Sequence, residues 1–176
     1  MTTNPIVFQI LRDFTGEKSK IAKIIKSSKV YIGSDVTESR VKYLSNSGEL
    51  KDYSIIHFAT HAKSYPDIPE LSAIILTADE DGSQVNFNPS YDSKNITKDD
   101  GFLRVDEIRD LEISADMVCL SACETGVGKL YFTEGVVNFS QAFMEAGANS
   151  VTITLWPIFP FLLSSDQKNH DQLIIF

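Results

Sequence analysis

Apolar residues recur along this chain in two rhythms, short uninterrupted runs and longer stretches at helical spacing, and the two alternate. Ile21, Ala22, Ile24 and Ile25 predict an amphipathic helix over Glu17 to Ser28. Lys29 to Ile32 reads as a short strand stopped by Gly33. Thr37 can cap a second helix through Asn46, with Val41 and Leu44 facing inward. Tyr53 to Phe58 is nearly all apolar, as a parallel strand buried on both faces should be, and Ser72 to Thr77 is a further strand. Val105 to Leu111 reads as a short helix and Asp116 to Leu120 as a strand. Glu134 to Ala146 reads as a helix with Val136, Val137, Ala142, Phe143 and Ala146 on its buried side, and Gly147 stands where a helix-ending glycine belongs. Ser150 to Trp156 is a last strand, ended by Pro157. Strands alternating with helices predict βαβ units and a mainly parallel α/β sheet flanked by helices.

Two segments break the pattern. Between Asp79 and Asp110 there are nine acidic residues against four basic ones, and the part up to Asp100 reads as a solvated loop or insertion. From Ile158 onward the chain is first apolar without period, then polar, then apolar again, and it finds no place in the sheet. The division is therefore a core over residues 1–157 and a divergent tail over 158–176.

Composition narrows the function classes. A length of 176 residues, with 43% hydrophobic and 23% charged residues, fits one globular domain. A net charge of −8 with no basic face argues against a nucleic-acid partner. The N-terminus lacks the basic and apolar regions of a secretory signal, and no apolar run approaches the roughly 20 residues of a membrane span. Cys119 and Cys123 are too close along one strand to bridge easily, so reduced thiols in the cytoplasm are expected.

The candidate chemistry sits where strands end. His61 closes the run that begins at Tyr53, and Cys123 follows the strand that begins at Asp116. If those strands are neighbours, an imidazole and a thiol meet at the C-terminal edge of the sheet, where open α/β sheets place ligands. Such a pair is a minimal activated nucleophile. Taken singly, Cys123 also fits a buried core thiol, and Cys119 fits one better. His57 lies mid-strand and reads as a satisfied core histidine. The His57–His61 spacing would suit a metal on a helix, but this run is β-like and its two imidazoles need not share a face. No Cys-x-x-Cys is present, so no metal is expected. Gly126-Val-Gly-Lys129 fails the phosphate-loop pattern, and no Gly-x-Ser-x-Gly elbow exists.

His-Phe-Ala-Thr-His (57–61) and Leu-Ser-Ala-Cys-Glu-Thr-Gly (120–126) resemble the two signature blocks of the CHAT domain. That family is a caspase- and separase-related cysteine peptidase module, common in bacteria and often attached to helical repeats. Asp35-Val-Thr-Glu38, Pro69 to Leu76, Phe102 to Ile108, Glu134-Gly135, Ala146 to Ala148, Ser150-Val151 and Leu155-Trp-Pro157 follow in the family's order, so the resemblance spans roughly residues 17 to 157. It implies a caspase-like three-layer sandwich and a cysteine-type endopeptidase acting on protein or peptide substrates without a cofactor. It also implies His61 as general base and acid, Cys123 as nucleophile, and the backbone N–H groups of Ala62 and Cys123 as oxyanion donors. Ser121 stands at the place of the caspase glutamine that lines the substrate pocket, and Glu124 and Trp156 fall beside it. The chain departs from the family in carrying Ala62 where many relatives have glycine. Asn4-Pro5 resembles a motif that usually follows the first strand, and Ile158-Phe-Pro-Phe replaces the usual acidic continuation. These departures imply a fold truncated at both ends. The alternative reading is therefore a catalytically impaired fragment or a non-enzymatic regulatory module, with a helical-repeat or sensor partner.

Overall fold

The computed structural model describes residues 7–11, 27–65, 67–78, 99–124, 132–154 and 173–175. Eight strands form one sheet: β1 (Val7–Leu11), β2 (Ser28–Ile32), β3 (Ile55–Lys63), β4 (Ala73–Ile75), β5 (Phe102–Arg104), β6 (Met117–Glu124), β7 (Val151–Thr154) and β8 (Leu173–Ile175). Among the described residues three α-helices accompany them: α1 (Glu38–Asn46), α2 (Val105–Arg109) and α3 (Phe132–Glu145). The strand order is β2-β1-β3-β6-β7-β8. All neighbours are parallel as far as β7, and β8 adds antiparallel to β7. β4 pairs antiparallel with β3 and β5, so the sheet is mainly but not wholly parallel.

β3 explains how both arrangements coexist. On one side it runs beside β6 from Ile55 to Ala62. On the other it pairs with β1 from Ile55 to Ala59 and then with β4 from His61 to Lys63. Thr60 marks the exchange, and its hydroxyl donates to the Ile75 carbonyl.

Alternation along β3 and β6 separates two faces. Ile56, Phe58, Thr60 and Ala62, with Val118, Leu120 and Ala122, are buried. Ile55, His57, Ala59, His61 and Lys63, with Met117, Cys119 and Ser121, are half-buried. The sequence reading treated Tyr53 to Phe58 as buried on both faces; among the described residues only one face is closed. One apolar cluster joins that face to Val41 and Leu44 of α1, Ile108 of α2 and Phe143 of α3. The Phe58 and Phe143 ring centroids are 5.4 Å apart, tilted by 34°, within the range where edge–face attraction adds to burial.

Local chemistry sets the helix ends. Thr37 Oγ1 accepts from the Arg40 N–H at 3.2 Å and caps α1. α3 ends at Gly147, whose φ of 108° favours glycine, and a Cβ there would stand 2.2 Å from the Ile113 carbonyl oxygen. On α3, Ala142, Phe143 and Ala146 are buried as expected, whereas Val137 faces outward at 49% exposure.

A buried ionic cluster anchors β5 and α2 to α1. Glu38, 1% exposed, receives the Lys42 ammonium at 2.6 Å and the Gly101 N–H at 2.9 Å. Lys42 Nζ also donates to Asp99 at 2.9 Å and Glu107 at 2.8 Å. Burial pushes Glu38 up to about 8, opposed by the hydrogen bond from Lys42. Arg104 grips Asp100 through both terminal nitrogens, and its backbone N–H donates to the Glu107 carboxylate at 2.8 Å.

The predicted strands and helices from Lys29 to Glu145 are present, with shifted ends. β1, β5 and β8 were not anticipated, and β8 gives the end of the tail a place in the sheet beside β7. The expected helix over Glu17 to Ser28 lies outside the described residues as far as Lys26, while Ser28 opens β2 instead, and most of the acidic segment up to Asp100 also lies outside them. Among the described residues, no helix is long and apolar enough to cross a membrane.

Candidate active site

β3 and β6 extend past their predicted ends, to Lys63 and Glu124. His61 and Cys123 therefore both lie inside strands, and Cys123 does not follow its strand as the sequence suggested. The ladder sets them directly opposite each other: His61 is the register partner of Cys123, and Ala62 of Glu124. Adjacent strands run about 4.8 Å apart. Partners in a parallel pair share a sheet face, so positions 61 and 123 sit side by side near the C-terminal ends of two central strands. On its other edge His61 faces Ile75 of β4.

The same face carries a polar group one and two levels below. His57 is the register partner of Cys119, and its Nε2 lies 3.0 Å from Ser121 Oγ. Cys119 Sγ is 3.8 Å from the same hydroxyl. Burial drives the His57 imidazole down to about 4, so it is neutral at physiological pH. Burial also pushes the Cys119 thiol up, opposed by its contact with Ser121, which leaves Cys119 a poor nucleophile. Thr152 is the register partner of Cys119 on β7 and is buried, extending this polar row across a third strand.

His57 and His61 do share a face, which the sequence reading left open, because four residues are two full periods of a strand. At about 3.3 Å per residue they stand roughly 13 Å apart, too far to ligate one ion. Among the described residues, no group of three or more His, Cys, Asp or Glu could hold a metal. The same spacing separates Cys119 from Cys123, far beyond the roughly 7 Å that a disulfide tolerates. Distance along the strand, not closeness, keeps them unbridged.

The other expected site residues divide. Ala62 is buried within β3, between Ile74 of β4 and Glu124 of β6. Ser121 faces His57. Glu124 closes β6, and Trp156 lies outside the described residues. The His57–Ser121 pair was missed as a unit. Its signal was present in His57-Phe-Ala-Thr-His61 and Cys119-Leu-Ser-Ala-Cys123, where odd positions on both runs carry the reactive side chains.

A family model described as the CHAT domain matches residues 2–160. Two curated relatives are each called Tetratricopeptide repeat protein 28. The Mus musculus protein is 26% identical over 148 residues, and the Homo sapiens protein 27% identical over 148 residues. Each match covers 72% of this chain, which spans only 6% of the relative's length.

Proposed function

Because this chain belongs to the CHAT domain family, with its caspase-like fold, we propose that it is a cysteine-type endopeptidase working through a Cys123–His61 dyad. One observation carries the reading: the two residues are register partners on adjacent parallel strands, at the C-terminal end of the sheet. Imidazole next to thiol favours the thiolate, and the thiolate is the attacking species.

The steps balance without a cofactor. Cys123 Sγ transfers its proton to His61 and bonds to the peptide carbonyl carbon. The backbone N–H groups of Ala62 and Cys123 are the donors we assign to the resulting oxyanion. Collapse breaks the C–N bond, and the His61 imidazolium gives its proton to the departing amine. Water, deprotonated by His61, then attacks the thioester, the acid product leaves, and the thiol returns. Ser121, Glu124 and Trp156 are assigned to the pocket for the substrate residue before the scissile bond. The substrate is a protein or peptide, and the setting we assign is the reducing cytoplasm.

A peptidyl electrophile directed at thiols tests this, read by intact mass and peptide mapping. We expect one adduct, on Cys123, lost in Cys123→Ala and slowed roughly 100-fold or more in His61→Ala. Equal labelling of Cys119, or indifference to His61→Ala, would sink the proposal. A second reading has its own support: the chain matches a small part of much longer proteins named for tetratricopeptide repeats. On that reading the unit is a regulatory module governed by helical repeats, and the folded chain would show no selective Cys123 adduct.

A further inference from the structure

The Cys123–His61 reading gives His57 no part and Ser121 only a place in the pocket, yet their side chains bond to each other across the two strands that carry the dyad. We propose that His57 and Ser121 are a positioning pair, whose hydrogen bond fixes the offset of the β3 and β6 ends and so sets the approach of His61 to Cys123. The proposal rests on the dyad reading above.

The bond is diagonal. His57 is level with Cys119, and Ser121 is level with Ala59, so the bond climbs from the 57/119 level to the 59/121 level. The next level on that face is 61/123. The bond therefore ends one step beneath the proposed dyad.

Strand support changes at the same place. β1 accompanies β3 only as far as Ala59, and from His61 that edge passes to β4, a strand of three residues. The 59/121 level is the last at which both edges of β3 have parallel neighbours. A tie between β3 and β6 there constrains the short stretch that follows.

The buried face cannot supply that constraint alone. Ile56, Phe58, Val118 and Leu120 forbid a slip of one residue, which would turn them toward the other face. Apolar burial is non-directional, however, and a slide of a few tenths of an ångström costs it little. A 3.0 Å hydrogen bond is directional and weakens steeply with angle. The pair is also partly dehydrated, as the depressed His57 shows, which strengthens the bond relative to one in water. The Cys119 contact at 3.8 Å is weak, so His57 is the main partner of the hydroxyl.

The test is the pH dependence of Cys123 alkylation in the folded full chain. Iodoacetamide is the reagent, because it has no side chain to fill a substrate pocket and so bypasses any pocket role of Ser121. In the unsubstituted chain, the midpoint for Cys123 should lie below that of an ordinary cysteine. Ser121→Ala should raise it by about one unit, with roughly tenfold slower labelling at neutral pH. Ser121→Thr should restore both. His57→Phe keeps the bulk, removes the bond and should reproduce the shift, which covers the case in which Ser121→Ala does not fold. Cys119 should remain slow throughout.

An unchanged midpoint in folded Ser121→Ala, when the unsubstituted chain is shifted, would overturn the positioning pair and leave the dyad standing. An ordinary midpoint in the unsubstituted chain would remove the dyad and the pair together. Faster labelling of Cys119 alongside the Cys123 shift would mean general loosening, and would also overturn the assignment.

Discussion

His57 is a neutral imidazole in a place that water largely vacates, and this has a measurable consequence. Its folded-state value is about 4 against an ordinary 6.5, so between those values the unfolded chain binds a proton that the folded chain refuses. Stability from this residue is complete above about pH 6.5 and drains away as pH falls toward 4. At 1.36 kcal/mol per unit the loss amounts to about 3 kcal/mol. Urea unfolding at pH 7, 5.5 and 4.5 should show the unsubstituted chain losing stability relative to His57→Phe, which has nothing to protonate at that position and leaves the opposite slope of the raised Glu38 in both chains. An acid slope unaltered by His57→Phe would contradict the assignment. At this scale the adjacency of positions 61 and 123 was well signalled by the sequence. His61 and Cys123 both ended apolar runs, so their meeting followed if the runs were neighbours. Ser121 was noticed only through resemblance. A hydrogen bond between strands depends on register, and register cannot be read from either strand alone.

Among elements, the end of α3 is the most exacting. Gly147 adopts a backbone angle that suits glycine, and its missing Cβ is the space into which the Ile113 carbonyl fits. The Ile113 N–H in turn donates to the Ala146 carbonyl at 2.9 Å. Gly147→Ala should therefore cost about 3 kcal/mol, combining backbone strain with displacement of a fixed carbonyl. Chemical denaturation checks it; a loss below about 1 kcal/mol would mean the turn has freedom that the geometry denies it. Element types were largely legible, and element limits were not. His61-Ala-Lys63 and Ala122-Cys-Glu124 have little strand character by composition. They extend because β3 and β6 continue to pair with each other and because β4 adds to β3. The direction of β4 was equally hidden, since an apolar triplet reads the same forwards and backwards. β1 and β8 are five and three residues long, too short for periodicity to separate strand from helix.

For the whole molecule, the alternation of runs and helical stretches was enough to give a mainly parallel sheet with helices. It was not enough to tell which sheet face those helices cover. The described core is one cluster, reaching from Val36 and α1 across β3 and β6 to α3 and β7. A single cluster predicts a single cooperative transition, followed alike by near-ultraviolet and far-ultraviolet circular dichroism. Phe143→Ala removes the ring packed at a tilt against Phe58 and should lower stability by about 3–5 kcal/mol, shifting both signals together. Separate midpoints would show instead that α3 and the sheet melt independently. The joint between β4 and β5 has a different consequence. The Leu76 N–H donates to the Gly101 carbonyl at 2.7 Å, and the Thr77 N–H to the Val36 carbonyl at 2.8 Å. Outgoing chain at Leu76 and returning chain at Gly101 are thus fastened like the two halves of a clasp, with Val36 holding the outgoing half. With both halves held, a change in the number of residues that join them adds little closure entropy, since doubling a connection costs only about 0.6 kcal/mol. Evolution or an engineer could graft a recognition element there without disturbing the strand that holds His61.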